Sequence, residues 1–154
     1  MEIYAVDKQD RTILKLMQCD ATLSVGQLAE RTGMSKSACW RRVQKLEQQG
    51  VIQERVAILS AEQLGLSLCV YISVRTNQHN DSWAQHFQQV TQQIAGVQEV
   101  YRMSGDLDYL IKAVVTDMAG YDRLYQQLIA ADLFDVSASF VMETMKRTTA
   151  LPLE

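Results

Sequence analysis

Proline is nearly absent from this sequence, at one residue in 154, and glycine is sparse at seven. With hydrophobic residues at 47% and charged residues at 21%, that scarcity excludes collagen-like and disordered classes and leaves a chain able to bury a core. No apolar stretch approaches the roughly 20 residues of a membrane span; the longest, such as Leu110–Val115, are short and broken by charge. Met1–Val6 has neither a basic start nor an apolar stretch, so no signal peptide is expected and the protein is expected in the cytoplasm. Cysteine is scarce as well. Cys19, Cys39 and Cys69 are odd in number and scattered, without a C-x-x-C pair or a nearby histidine, which excludes a disulfide framework and a zinc site and points to no metal and no cofactor. Only His79 and His86 are available for acid–base work. One sits in a polar loop and the other on the outer side of a helix, so no catalytic residue is assigned.

Net charge is −3, which taken whole argues against nucleic-acid binding. The charge is uneven, however. Residues 1–59 carry nine Lys/Arg against seven Asp/Glu, a balance of +2, whereas residues 60–154 carry six against eleven, a balance of −5. Lys36, Arg41, Arg42 and Lys45 share a stretch with no acid in it, the footprint that a phosphate backbone selects.

Local signals order that region into three helices. Asp7 can cap the first, with Ile13, Leu14 and Met17 on one face and an end near Cys19–Asp20. Ser24 and Gln27 form a capping box for a second, which Gly33 stops. Ser35 caps the third, with Met34 and Cys39 as a hydrophobic staple. A helix, a tight glycine turn and a helix is the helix-turn-helix pattern, here over about 26–45. On the third helix Cys39, Val43 and Leu46 face inward. The opposite side presents Ser37, Trp40, Arg41, Gln44 and Lys45 for base edges, while Lys36 and Arg42 flank them where phosphates run and Ser35, the cap, completes the DNA-binding set. Trp40 reads equally as a groove contact and as packing on the first helix. The reading is a double-stranded DNA reader.

These residues resemble the Lrp/AsnC, or feast/famine, transcriptional regulators. Val6–Leu14, Leu28–Ser35 and Cys39–Ile52 look like that family's DNA-binding domain in order, spanning about 7–68. Lys36 stands where the commoner pattern has a proline, exchanging a rigid first turn for a positive charge.

Residues 1–50 therefore form the reader, and 51–65 a linker. Val51–Leu59, rich in Val and Ile, is expected to be a strand, and Ser60 with Gln63 to cap one helical turn closing at Gly65. In the resembled family that strand pairs with its counterpart in a second subunit. Residues 66–154 then alternate strands and helices: strand Leu68–Thr76; a helix carrying Trp83, Phe87, Val90 and Ile94; strand Val97–Ser104; strand Tyr109–Val115; a helix capped by Asp117; and strand Val136–Met142. The order β-α-β-β-α-β is a ferredoxin-like sandwich, so the fold class is α+β: a helix-turn-helix joined to a sensing and self-association domain. Two helices cover one sheet face. The other face requires a second copy of the chain.

The resemblance continues through Met103–Leu110 and Ser139–Lys146, the latter closest to the branch that includes regulators of cysteine detoxification. It implies a glycine-aspartate loop that binds an amino acid between subunits, placing Met103, Ser104, Gly105, Asp106 and Asp108 at the effector. An amino-acid zwitterion needs N–H groups and hydroxyls for its carboxylate and an acid for its ammonium. Ser104, Gly105 and Asp108, with Ser137 and Ser139 of a neighbouring subunit, are expected to supply them. The expected effector is a small amino acid, cysteine first and leucine or methionine next. Relatives also imply a dimer that assembles further, to an octamer, on a pseudo-palindromic operator. The rival reading is an enzyme, since siroheme decarboxylases share this architecture, but an acid-free basic recognition helix has no use in such an enzyme.

Overall fold

A computed structural model describes residues 4–154, and the chain divides into two compact units, residues 1–58 with 146–154 and residues 59–145. In the first unit three helices form in the expected places: α1 (Lys8–Met17), α2 (Val25–Thr32) and α3 (Lys36–Gln48). Each begins at a side-chain cap. Asp7 and Ser24 both close full capping boxes, with Asp10 and Gln27, and Ser35 accepts from the Ala38 N–H at 3.2 Å. Gly33 ends α2 at φ +70, a left-handed conformation in which a side chain would be strained. Ile13, Leu28, Cys39 and Val43 fill the core between the three helices, and Leu46 is fully buried beside them.

The linker differs from the expectation in the single chain. Val51–Leu59 is not a strand: beyond two bends it is irregular, with Val56, Ile58 and Leu59 exposed. A β-branched segment becomes a strand only with a neighbour for its N–H and C=O groups, and within the single chain it has none. Residues 146–154 group with the helices by packing, where the Gln18 side-chain amide pairs with the Leu151 backbone in both directions. It donates to the carbonyl at 3.1 Å and accepts from the N–H at 2.9 Å.

The second unit contains β1 (Leu68–Arg75), α4 (Asp81–Gln93), β2 (Val97–Arg102), β3 (Tyr109–Val115), α5 (Met118–Leu128) and β4 (Asp135–Phe140), with a short 3-10 turn at Ile129–Ala131. The four strands form one antiparallel sheet in the order β2-β3-β1-β4, the ferredoxin-like arrangement. Strands β2 and β4 are each shorter at one end than the sequence pattern suggested. One sheet face meets the helices: Val70, Ile72, Val74, Ile111, Ala113 and Val115 pack with Trp83, Phe87, Leu124 and Leu128. Trp83 stacks on Phe87 with centroids 5.1 Å apart, and Tyr109 closes the cluster at 4.7 Å from Phe87. On the opposite face stand Tyr71, Ser73, Arg75, Glu99, Tyr101, Leu110, Lys112, Ser137 and Ser139, none of them buried.

Candidate nucleic-acid interface and effector site

The cap at Ser35 and the buried stripe Cys39–Val43–Leu46 fix which side of α3 looks outward. Lys36, Ser37, Trp40, Arg41 and Lys45 are exposed there, and Gln44 is half-buried. Trp40 is 53% exposed, so packing beneath the first helix is not its role. Arg41 is exposed, and no carboxylate among the described residues pairs with it. Lys45 sits 4.8 Å above the Tyr4 ring, a cation–π contact that holds a flexible ammonium without neutralising it. Gln44 donates to Glu47 at 3.3 Å, and the Ser35 and Ser37 hydroxyls lie 3.3 Å apart.

Arg42 behaves otherwise. Its guanidinium donates to Asp7 and Asp10 at 2.7 Å each, and also to the Gln9 side chain. Asp10 is 1% exposed and accepts in addition from the Tyr4 hydroxyl at 3.1 Å and the Asp7 N–H at 3.2 Å. The bond from the Asp10 N–H, and after it Arg42, hold the Asp7 carboxyl below the usual carboxylate range, while Asp7 and then Asp10 push the Arg42 guanidinium up. Arg42 therefore ties α3 to the start of α1. Nothing local could have shown this. The partners lie more than 30 residues away in sequence.

In the sheet unit, the hairpin between β2 and β3 carries Met103, Ser104, Gly105, Asp106 and Asp108. Gly105 has φ +108, so only glycine sits there without strain. Met103, Ser104, Gly105 and Asp106 are exposed. Asp108 is anchored instead: its N–H donates to the Val74 carbonyl at 3.0 Å, its carbonyl accepts from the Met103 N–H at 2.8 Å, and its carboxylate accepts from the Thr76 N–H at 2.8 Å. A small cavity of about 160 Å³ beside it is lined by Trp83, Arg102 and Met103, on the helix side. Asp108 thus fastens the hairpin to the end of β1, which weakens its expected part as the ammonium acceptor. Ser137 and Ser139 are exposed on β4, opposite Ser73 and Tyr71. The sheet register brings Asp135, where β4 begins, and the hairpin to the same end of one chain's sheet. Arg75, missed in the sequence, joins the two: Nε donates to the Asp106 carbonyl at 2.7 Å, and a guanidinium nitrogen lies 3.7 Å from the Asp135 carboxylate.

Among the described residues no group of three or more His, Cys, Asp or Glu is placed to hold a metal ion, and no helix is long and apolar enough to cross a membrane. His86 lies 2.9 Å from the Ala130 carbonyl, and His79 is exposed.

Known proteins agree with this geometry. The model of the Lrp/AsnC ligand-binding domain matches residues 69–151, and that of a winged helix-turn-helix DNA-binding domain matches residues 6–53. The chain is 43% identical to the glutamate uptake regulatory protein of Zymomonas mobilis, over 98% of this chain and 93% of that one. Among solved structures it is similar to an AsnC-family transcriptional regulator from Agrobacterium tumefaciens, with TM-score 0.91 and 46% identity, covering 96% of this chain and 97% of that one. It is also similar to a transcriptional regulator of Neisseria meningitidis in complex with L-Met, with TM-score 0.90 and 30% identity over 97% of both chains. These relatives are named as regulators, which sets the decarboxylase reading aside. With both domain models matched in order and relatives aligned over nearly its whole length, the chain belongs to the Lrp/AsnC family of DNA-binding transcriptional regulators.

Proposed function

We propose that the protein reads a pseudo-palindromic operator through the outward face of α3 and adjusts its occupancy to a small amino acid sensed at the hairpin end of the sheet. The observation that carries the DNA half is Arg41, an exposed guanidinium at the centre of that face with no acid among the described residues paired to it. A planar fork in this position suits the O6 and N7 edge of guanine. Ser37, Trp40 and Gln44 stand beside it for neighbouring bases, with Ser35, Lys36 and Lys45 on phosphates.

Two-fold recognition needs two copies. The open sheet face carries Tyr71, Tyr101 and Leu110 beside a Lys112–Glu99 pair at 2.8 Å, and the linker exposes Val56, Ile58 and Leu59. Both surfaces favour a dimer that pairs further, to an octamer, in the cytoplasm. For the effector, the hairpin Met103, Ser104, Gly105, Asp106, with Ser137 and Ser139, forms the receiving end, and Asp108 holds it in place. Cysteine remains the first candidate, with leucine and methionine next; the relative solved with L-Met supports an amino acid as the class.

The test maps bound DNA genome-wide and then measures binding to the strongest site with and without each of the twenty amino acids. A reproducible operator whose affinity shifts with one amino acid is expected. Uniform binding to any duplex would remove the specific-reader reading, and indifference to all twenty amino acids would remove the effector reading alone.

A further inference from the structure

We infer that Glu47 is a positioning residue for base reading, holding the Gln44 side-chain amide in the orientation that pairs with adenine; this rests on the operator-reading proposal above. Glu47 follows Gln44 by three residues, so the two meet on one face of α3. Gln44 Nε2 donates to Glu47 Oε2 at 3.3 Å, and the Arg55 guanidinium donates to Oε1 of the same carboxylate. Arg55 comes from beyond the helix. After α3 ends the chain turns at Gly50, φ +69, and the linker brings Arg55 back against Glu47.

An acid in the last turn of a helix meets the negative end of the helix dipole, and on a DNA-reading helix it also meets phosphates. Arg55 offsets that charge and fixes the carboxylate, leaving its second oxygen for Gln44. A carboxylate only accepts hydrogen bonds, so the nitrogen end of the Gln44 amide turns toward it and the carbonyl oxygen away. Of the two N–H bonds, the one directed away from the amide's own oxygen reaches the carboxylate without bringing two oxygens together. The carbonyl oxygen and the remaining N–H are then left side by side. That pair matches the N6 donor and N7 acceptor of adenine in the major groove, and no other single base offers both. Without Glu47 the amide rotates freely, and part of the discrimination is lost to ordering it on binding.

The test selects duplexes for the full chain from a random-sequence library. Fluorescence anisotropy then gives affinities for the selected operator and its single-base variants. The wild type is expected to prefer adenine at one position of each half-site by at least about fivefold, and Gln44→Ala to erase the preference there alone. Glu47→Ala is expected to lower that preference about threefold, the cost of ordering one side chain, with the ratios at all other positions unchanged. Glu47→Gln, whose carbonyl oxygen still accepts from Gln44, is expected to retain most of it. Each ratio compares two duplexes on one variant, so a general gain in affinity from removing the Glu47 charge cancels. Thermal melts check the fold, and if Glu47→Ala does not fold, Arg55→Ala, which frees the same carboxylate, is expected to weaken the preference at the same position. An unchanged preference there in the folded variant overturns the assignment, as does an even loss at every position. So does a Gln44→Ala variant that alters no position, or a Gln44-dependent position that selects another base; in all four cases the operator reading stands. A wild type without any sequence preference overturns both.

Discussion

In the helical unit the most deeply buried charged side chain, Asp10, joins three segments at once, whereas in the sheet unit the interior is aromatic and aliphatic and the Lys112–Glu99 pair stands outside it on the open face. The difference follows from size. A three-helix unit of some fifty residues has a small apolar core, so the angle of its recognition helix depends on a polar network. The sheet unit has a larger apolar core, which leaves its outer polar groups available for partners. One consequence is that chemically equal neighbours differ in role: Arg41 faces solvent while Arg42 is part of the framework.

The largest expected effect lies in the sheet unit. Phe87→Ala removes a 1%-exposed ring stacked on Trp83 and packed at a tilt against Tyr109, with an expected loss of about 3–5 kcal/mol. Denaturant unfolding followed by tryptophan fluorescence reports it, since Trp83 lies in the same stack. In the helical unit Asp10→Ala is expected to cost about 2–4 kcal/mol, because it takes from Arg42 and the Tyr4 hydroxyl their buried partner and removes half of the α1 capping box. The comparison breaks if the polar network proves as dispensable as a surface pair.

Arg41 and Arg42 sharpen it. Arg41→Ala should lower specific DNA affinity by about 1–3 kcal/mol, relax sequence choice and leave the melting temperature unchanged. Arg42→Ala should lower the melting temperature of the helical unit and change the specific-to-nonspecific ratio less. Fluorescence anisotropy on operator and random duplexes, alongside thermal melts, separates the two. If Arg42→Ala lowers the salt slope by about one without loss of stability, it is a phosphate contact after all.

Local chemistry carried most of the architecture into the sequence. Caps at Asp7, Ser24, Ser35 and Asp117, the left-handed Gly33 and the apolar spacing of α3 and α4 are short-range signals, and the elements formed where they pointed. What stayed illegible needed a distant partner. The β-branched run at 51–59 has strand composition but no neighbour, Arg42 has basic composition but acids opposite it, and the Gln18–Leu151 pairing spans almost the whole chain. Arg75 escaped notice because an isolated arginine at a strand end signals nothing until the register sets Asp135 across from it.

The smallest expected effect is in pH dependence, where both units have an acid limb and the sheet unit adds an alkaline one. Asp7 has its carboxyl lowered from its ordinary value of 3.8, chiefly by the Asp10 N–H, so its contribution is complete above that value and is lost as pH falls through the lower folded one. Glu99, lowered from 4.5 chiefly by its bond from Lys112, behaves in the same sense. Lys112, raised from 10.5 chiefly by Glu99, and Tyr101, raised from 10.0 likewise, act oppositely. Their contributions are complete below those values and are lost as pH rises through the folded ones. The helical unit should therefore weaken through Asp7 on the acid side alone within the accessible range, and the sheet unit through Glu99 on the acid side and Lys112 with Tyr101 on the alkaline side. Between about pH 5 and 9 none of these groups changes charge, and stability attributable to them is flat. Melting temperatures from pH 2.5 to 11, with Asp7→Asn and Lys112→Met as partners, test the assignment. Asp7→Asn should flatten only the acid limb and Lys112→Met chiefly the alkaline limb; the reverse pattern would show that the two networks had been assigned to the wrong units.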